Sequence, residues 1–259
     1  MERFKVRRQL ELFLTALQFL TRLPVPALQQ FEPDWITRST RYFPLAGQLV
    51  GVLSAGVLLA ASVVWRGWLP ALLAVAAGVL ITGALHEDGL ADTADGLGGG
   101  GSVAQRLAIM KDSRIGVYGV MALGLCTAIK LAALATMSPR LAALGLIAAQ
   151  GVARAAAVVV MRALPYAGDR DSAKVEITPG GPSRLEVSTA LLMAAWPLLL
   201  LKFDQALLGC LIGAAVVWAV AIAARRLIGG QRGDVLGAVE QVCEAGFLLG
   251  CATLTGGLR

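Results

Sequence analysis

The sequence is poor in charge, in aromatic residues and in histidine. Only 15% of its 259 residues are charged and 6% are aromatic, whereas 57% are hydrophobic. A water-soluble particle of this size needs more polar surface than that, so a soluble nucleic-acid binder, a disordered chain and a secreted disulfide scaffold are excluded. The single histidine, His86, also excludes a zinc site built from histidines. The sequence therefore predicts an integral membrane protein.

Cysteine is equally scarce, and no cysteine has the spacing of a metal-binding motif. All of them fall within apolar stretches, where they are predicted to act as small apolar side chains in a reducing compartment. They are Cys126, Cys210, Cys243 and Cys251.

Apolar stretches of nearly 20 residues predict about seven transmembrane helices. They cover residues 45–65, 68–85, 117–137, 141–164, 187–201, 205–224 and 236–255. The fifth is short and contains Pro197, so a tilted, broken or re-entrant element is the alternative there. The predicted fold is an all-α, polytopic membrane helical bundle that forms one domain over residues 1–259.

The segment before the first stretch combines positive charge with a short apolar run. A basic cluster at residues 3–8 precedes the apolar residues 10–20, and Pro24 follows. Because the run is too short to span, it is predicted to form an amphipathic helix in the membrane interface, with its cations on lipid head groups. An uncleaved signal anchor is the alternative.

The positions of lysine and arginine predict the orientation of the chain. With the amino terminus inside, residues 1–44, 86–116, 165–186 and 225–235 would hold sixteen of the 23 positive side chains. This asymmetry follows the positive-inside rule and predicts that the long polar loops are cytoplasmic. Orientation thus accounts for most of the positive charge.

The most informative stretch is residues 86–96, HEDGLADTADG, directly after the second apolar stretch. On a helix, Asp88, Asp92 and Asp95 share an arc of about 60°. Three carboxylates on one face at a membrane boundary repel each other unless a cation lies between them. Mg²⁺ is predicted, because it takes oxygen ligands and bridges carboxylates to substrate phosphates. The alternative is a solvated segment whose aspartates cap helices and turns.

Residues around this stretch add further candidates. His86 projects to the opposite face, so it is predicted to support the site or to handle a proton. Glycines within residues 96–101 match a dinucleotide-binding pattern, but no strand precedes them, and a flexible joint or a plain linker is expected instead. Beyond the glycines, Asp112 is a candidate fourth metal ligand, and Lys111 and Arg114 are candidate phosphate-binding residues unless they only set the topology.

Charged residues also lie inside the predicted spans. They are Lys130, Arg154, Glu240 and Glu244. Isolated charges there are costly, so ion pairs between helices are one expectation. The other is a polar cavity open to the cytoplasm, in which Asp234, Glu240 and Glu244 bind part of a large polar substrate.

Residues 86–96 belong to a set of elements that runs in order along nearly the whole chain. The other elements are residues 19–26, 41–45, 110–116 and 233–238, the last followed by Glu240 and Glu244. Together they resemble the cobalamin synthase family, also called adenosylcobinamide-GDP ribazoletransferase, which commonly reads HxDGLADTxDG in the acidic stretch. Glu87 stands where an apolar residue is common, and Gln231 and Arg232 also depart from the pattern, but no motif aspartate is affected.

The resemblance implies a Mg²⁺-dependent transferase of the bacterial cytoplasmic (inner) membrane, with its active-site loops on the cytoplasmic side. Such an enzyme joins adenosylcobinamide-GDP to α-ribazole, or to its 5′-phosphate, and releases GMP. The residues then assigned to the metal and to catalysis are Asp88, Asp92 and Asp95, with Asp112 as a further metal ligand, and those assigned to the diphosphate are Lys111 and Arg114.

Two other functions are alternatives to this transferase. CDP-alcohol phosphatidyltransferases also place aspartates at the ends of membrane helices, but their Ala-Arg pair after Asp-Gly is absent, because Asp92 follows Ala91 here. A cation-coupled transporter is motivated by the charges within spans, although the main acidic cluster lies at a span boundary and no internal repeat is visible. Small residues, as at 141–157, allow close packing within one chain or in a homodimer.

Overall fold

The computed structural model describes residues 2–26, 34–168 and 180–253. In these ranges the chain is helical, apart from connecting segments and one isolated bridge between Tyr166 and Gln231, which confirms the predicted all-α fold. The helices are α1 (Glu2–Leu20), α2 (Trp35–Ser39), α3 (Phe43–Val64), α4 (Leu69–Thr82), α5 (Leu85–Gly99), α6 (Val103–Ile109), α7 (Val117–Thr136), α8 (Pro139–Ala163), α9 (Arg184–Ala195), α10 (Phe203–Ile228) and α11 (Gly233–Ala252).

Fewer helices can cross a membrane than the sequence predicted. Five segments in the described ranges are long and apolar enough, and they are Trp35–Val64, Val117–Thr136, Pro139–Ala163, Phe203–Ile228 and Gly233–Ala252. The α4–α5 pair adds a sixth only if it is counted as one bent span. The polytopic helical bundle is therefore confirmed with five or six candidate spans in the described ranges where about seven were predicted, and the difference lies at the second and fifth stretches.

The second predicted span, residues 68–85, contains a break. Helix α4 ends at Thr82, and α5 begins at Leu85 at an angle of 90° to it. Gly83 (φ 66°) and Ala84 (φ 58°) lie between them in the left-handed conformation, which terminates a helix. Hydropathy does not reveal this break, because neither residue is charged or strongly polar.

The fifth predicted span, residues 187–201, is a short helix followed by a tight turn. Helix α9 has 12 residues and continues as the 3₁₀ helix Trp196–Leu200, in which Pro197 cannot donate a backbone hydrogen bond. Trp196 Nε1 donates to Gln48 Oε1 of α3 (2.8 Å), and Gln48 Nε2 donates to a carbonyl oxygen of α9 (2.7 Å). This element is thus fixed to the side of α3, as the broken alternative anticipated.

Helix α1 ends before Pro24, as predicted, and one of its faces is buried against the rest of the chain. Leu12, Ala16 and Leu17 on this face are almost inaccessible to solvent. Near the end of α1, the Phe19 ring stacks on Phe43 at the start of α3, with centroids 5.8 Å apart. The end of α1 is therefore held beside α3, and its location in a membrane interface stays a prediction.

Glycines let the central helices approach closely. A Cβ on Gly89 of α5 would lie 2.8 Å from the carbonyl oxygen of Asp234 and 3.1 Å from the Cα of Gly237, both on α11. A Cβ on Gly250 of α11 would lie 2.5 Å from the backbone nitrogen of Gly209 on α10. Such contacts between small residues are typical of membrane helices. Helix α11 therefore contacts α5 on one side and α10 on another.

Small residues of α8 pack within the chain. Ala148, Ala149 and Ala153 are fully buried. A Cβ on Gly51 of α3 would lie 2.8 Å from the Cα of Ile147 on α8. The stretch 141–157 is thus used between α8 and α3, and a homodimer stays a prediction.

The cysteines are free thiols, as their spacing indicated. Three are buried and the fourth is partly buried, on helices α7, α10 and α11. Each belongs to an apolar cluster or packs against one. They act as small apolar side chains in the described structure.

Candidate functional site

Helix α5 carries the acidic motif, and its first turn separates two environments. His86 is 6% exposed and faces the interior, whereas Asp88 is exposed. The predicted placement of His86 opposite Asp88 is therefore confirmed. The interior side of this turn meets a buried polar network, and the outer side meets a cleft.

The cleft lies between the end of α1 and the break that separates α4 from α5. Its volume is about 420 Å³, and Asp88 forms part of one wall. The end of α1 and the segment after it supply the other wall with Gln18, Phe19, Thr21 and Arg22. The cleft therefore places a carboxylate and a guanidinium group around a space that is large enough for part of a nucleotide.

Arg22 is held in this position by backbone contacts. Its N–H donates to the carbonyl oxygen of Ile81 near the end of α4 (2.7 Å). Its side chain lies directly over Gly83, because a Cβ on Gly83 would be 2.4 Å from the Arg22 Nε. A larger residue at position 83 would displace the arginine side chain from this position.

Asp95, near the other end of α5, is buried and bonded to backbone. Its Oδ2 accepts from the N–H of Gly116 (2.7 Å) and its Oδ1 from the N–H of Gly119 (2.9 Å). These amides lie at the start of α7, where helical N–H groups have no partner inside the helix. Asp95 therefore caps α7 from a neighbouring helix. For this residue the structure agrees with the alternative that the aspartates cap helices.

The predicted metal ligands do not form a ready-made cage. No group of three His, Cys, Asp or Glu side chains that could hold a metal ion occurs in the described ranges. Asp88 and Asp92 nevertheless lie one helical turn apart, and both are at least partly exposed. Two such carboxylates fit Mg²⁺, which commonly binds one or two carboxylates and fills its other positions with water and substrate phosphates.

Asp112 lies in the loop between α6 and α7 and is paired within that loop. Both of its oxygens accept from Arg114, the shortest contact being 2.6 Å to Arg114 Nη2. Hydrogen bonds from the Arg114 side chain and backbone lower the pKa of Asp112 to about 2. Lys111 in the same loop is exposed. The structure does not bring these three residues into the cleft around Asp88, and their predicted roles stay predictions.

The glycines of residues 96–101 serve close packing more than they form a joint. Helix α5 continues through Gly99, and a Cβ on Gly98 would lie 2.8 Å from the Tyr118 ring. Arg106 Nη1 donates to the carbonyl oxygen of Leu97, which satisfies a free acceptor at the end of α5. Ser102 and Gln105 then form a capping box for α6.

The charges within the spans form two buried ion pairs. Lys130 Nζ lies 2.7 Å from Glu244 Oε2, and Arg154 Nη1 lies 2.6 Å from Glu240 Oε1. All four side chains are less than 5% exposed. These pairs join α7 and α8 to α11. The expectation of ion pairs between helices is therefore confirmed, and a contact of Glu240 or Glu244 with substrate stays a prediction.

The buried pairs connect to the first turn of α5. Gln241 accepts from Lys130 Nζ (2.7 Å), and its Nε2 donates to Glu87 Oε1 (3.0 Å). His86 Nδ1 lies 3.9 Å from Glu240 Oε2. A cavity of about 20 Å³, the size of one water molecule, lies among these groups. The network therefore holds α5 just before Asp88.

Asp234, another predicted substrate-binding residue, lies in the first turn of α11. Its backbone contacts Gly89 at the crossing of α5 and α11. Its Oδ2 lies 3.6 Å from Arg232 Nε. Asp234 is thus near the middle of α5, on the side where that helix meets α11, and a contact with substrate stays a prediction.

Arg41, in one of the elements that match the family, pairs with Glu186 of α9. Burial alone would raise the pKa of Glu186, but hydrogen bonds from Ser183 and Arg41 outweigh it, so the pKa is lowered. Ser183 and Glu186 also form the capping box that starts α9. The ion pair fixes α9 beside the start of α3.

Two contributors to this region were missed from the sequence. Arg22 was counted only among the cytoplasmic positive charges, and Gln241 carried no signal because a neutral amide within a span resembles a packing residue. Arg22 does lie within residues 19–26, one of the elements that match the family, which was the available clue. Its position beside Asp88 depends on the break after α4, which hydropathy did not reveal.

Comparison with known proteins gives matches over most of the chain. A family model described as cobalamin-5-phosphate synthase matches residues 12–252. An adenosylcobinamide-GDP ribazoletransferase of Shewanella piezotolerans is 43% identical over 244 residues, which cover 92% of this chain and 93% of the relative. A protein of the same name from Leptothrix cholodnii is 41% identical over 256 residues, which cover 92% and 94%. No solved structure matches the chain.

Proposed function

The chain belongs to the cobalamin-5-phosphate synthase family, and from that premise we propose that it is an adenosylcobinamide-GDP ribazoletransferase of cobalamin biosynthesis. The 3′-hydroxyl of α-ribazole, or of its 5′-phosphate, attacks the phosphorus that carries the cobinamide side chain. A new P–O bond forms, the bond to the GMP oxygen breaks, and GMP leaves. The product is adenosylcobalamin or its 5′-phosphate.

One observation carries this proposal: the motif helix α5 presents Asp88 to a cleft while its neighbours are fixed in the core. Phosphoryl transfer depends mainly on positioning and on neutralising charge. Asp88 and Asp92 would hold Mg²⁺, which supplies positive charge to the diphosphate when bound. A carboxylate oxygen of Asp88 or Asp92 that the metal leaves free would take the proton from the attacking hydroxyl. The buried network and the Asp95 cap keep α5 in place.

The reaction can be tested directly with purified protein in detergent. The protein is incubated with adenosylcobinamide-GDP and α-ribazole, or its 5′-phosphate, with and without Mg²⁺, and GMP is measured. We expect GMP release that requires both substrates and Mg²⁺. No GMP release under any of these conditions would contradict the proposed reaction, and release without Mg²⁺ would contradict only the metal.

We also place the cleft on the cytoplasmic side of the bacterial inner membrane. The seven positive side chains of residues 1–44, around the start of the first span, support this orientation. Reporter fusions test it: alkaline phosphatase fused after Arg66 should be active, because that loop is expected outside, and alkaline phosphatase fused after Asp112 should be inactive. The reverse result would invert the topology without affecting the proposed reaction.

A further inference from the structure

The guanidinium of Arg22 lies at the cleft but has no role in the reaction as proposed above. Arg22 is exposed and lines the 420 Å³ cleft together with Asp88. Among the described residues, no carboxylate forms an ion pair with it, unlike Arg38, Arg41, Arg114 and Arg154. A guanidinium without a carboxylate partner in a cleft is suited to bind an anion, and its planar set of donors matches phosphate.

The backbone around Arg22 is built to hold it there. Gly83 and Ala84 both have positive φ, and Ala84 is the only residue other than glycine with this conformation in the described ranges. A non-glycine residue in this region is strained, and such strain is concentrated at functional sites. The break turns α5 so that Asp88 faces the cleft, and the bare backbone of Gly83 accommodates the arginine side chain.

The cations that the sequence assigned to the diphosphate are less well placed. Arg114 is bonded to Asp112, and the loop that holds both follows the α6 helix, whose Arg106 is bonded to Leu97. Asp88 and Leu97 are about 14 Å apart along α5 at 1.5 Å per residue. Arg22, by contrast, borders the same cleft as Asp88.

We propose that Arg22 binds a phosphate oxygen of the substrate diphosphate in the cleft, opposite the metal-binding side of α5. This inference rests on the proposed function and names one residue that binds its nucleotide substrate. The guanidinium would neutralise negative charge of the diphosphate across the cleft from Asp88. The same chemistry could instead bind the phosphate of a lipid head group, so the experiment separates the two sources.

The test compares Arg22→Ala, Arg22→Gln and Arg22→Lys with Arg66→Ala, an exposed arginine in the loop between α3 and α4. Arg22→Ala should raise the KM for adenosylcobinamide-GDP about tenfold or more, because a charge-assisted hydrogen bond is lost. The KM for α-ribazole should stay near the wild-type value. Arg22→Lys should fall between the two, since lysine keeps the charge but not the fork of donors. Arg66→Ala should leave both constants unchanged.

Binding of GDP in the presence of Mg²⁺, measured by calorimetry, separates this inference from the proposed reaction. Weaker GDP binding in Arg22→Ala and Arg22→Gln supports the inference, even if wild-type protein releases no GMP. GMP release by wild type together with unchanged KM and GDP affinity in all Arg22 variants would overturn it and leave the function intact.

A second arm tests lipid. Wild type and Arg22→Ala are reconstituted in nanodiscs of phosphatidylcholine or phosphatidylglycerol, and thermal unfolding is recorded. We expect the same difference in unfolding temperature between the two proteins in both lipids. A difference that appears only with phosphatidylglycerol, with GDP affinity unchanged, would assign Arg22 to a lipid head group and overturn the inference.

Gly83→Ala provides an independent variant. The added Cβ would lie 2.4 Å from Arg22 Nε and would also be strained at φ 66°, so the guanidinium must move. Its KM for adenosylcobinamide-GDP should rise as in Arg22→Ala. A normal KM in Gly83→Ala with a raised KM in Arg22→Ala still supports the arginine, whereas normal values in both overturn the inference.

Discussion

The two ends of helix α5 use the same residue type in opposite ways. Asp88 and Asp95 lie on the same face by helical periodicity, yet Asp88 is exposed in a cleft and Asp95 is buried with both oxygens bonded to α7. The difference arises from what each end meets. The first turn follows a sharp break that leaves space beside it, and the last turns lie against the start of α7.

The anchoring of the two ends also differs. The first turn is held from inside by charged and amide groups of α7 and α11 that reach Glu87. The later turns are held by the Asp95 cap and by Arg106 at the end of the helix. Carboxylates of one motif can therefore divide into one that faces an open cleft and one that holds the helix, and only their surroundings distinguish them.

Asp88→Asn should show the largest effect and would sharpen this contrast most. Loss of the carboxylate should lower the rate of GMP release by about 10²–10⁴-fold, in the range of losses for a group engaged in the reaction. The unfolding temperature should remain unchanged, because Asp88 is exposed. Near-normal turnover, measured at saturating Mg²⁺, would contradict the metal-binding role.

Lys130→Met tests the internal anchor of the first turn. It leaves Glu244 buried without its cation, which should lower the free energy of unfolding by about 3–5 kcal/mol. The matched double variant Lys130→Met with Glu244→Gln removes both charges and should recover most of that loss. Denaturant unfolding in detergent measures the difference. Equal stability of the single and double variants would argue against a functional ion pair in the core.

Asp95→Ala tests the other end of α5. Two backbone N–H groups of α7 lose their acceptor, which should cost about 1–3 kcal/mol of stability. Asp95→Asn keeps one oxygen acceptor and should cost less. Folded Asp95→Asn protein should retain most of its GMP release. If it is stable but inactive, Asp95 is a metal ligand as the sequence predicted, and the contrast with Asp88 disappears.

Asp112→Asn should show the smallest effect. Its carboxylate is partly exposed and pairs, among the described residues, with Arg114 of the same loop. Exposed pairs contribute little to stability. The unfolding temperature and the Mg²⁺ dependence of GMP release should match wild type. The low pKa of Asp112, about 2, keeps the group charged throughout pH 5–8, so the wild type should show no titration from it there. A strong loss of activity would instead support Asp112 as a metal ligand.

The sequence predicted the helical fold and the direction of His86, because both follow from composition and from the period of one helix. For Lys130, Arg154, Glu240 and Glu244 it left ion pairs and a substrate-binding cavity as alternatives, since unpaired charges within a membrane are costly, and the structure shows the pairs. It did not predict the fate of Asp95 or the position of Arg22. Those depend on the left-handed turn at Gly83 and Ala84 and on which helix end lies nearby, neither of which leaves a periodic signal.

The contact between Glu87 and Gln241 joins residues that are 154 positions apart in the chain. During synthesis, the acidic motif is made early, but the helix that holds its first turn is the last one described. Until α11 has been inserted, Glu87 lacks this amide partner and Gly89 lacks the surface against which it packs. The first turn of α5 is therefore fixed only after α11 has been made, so a nascent chain that stops before α11 holds the motif without its support.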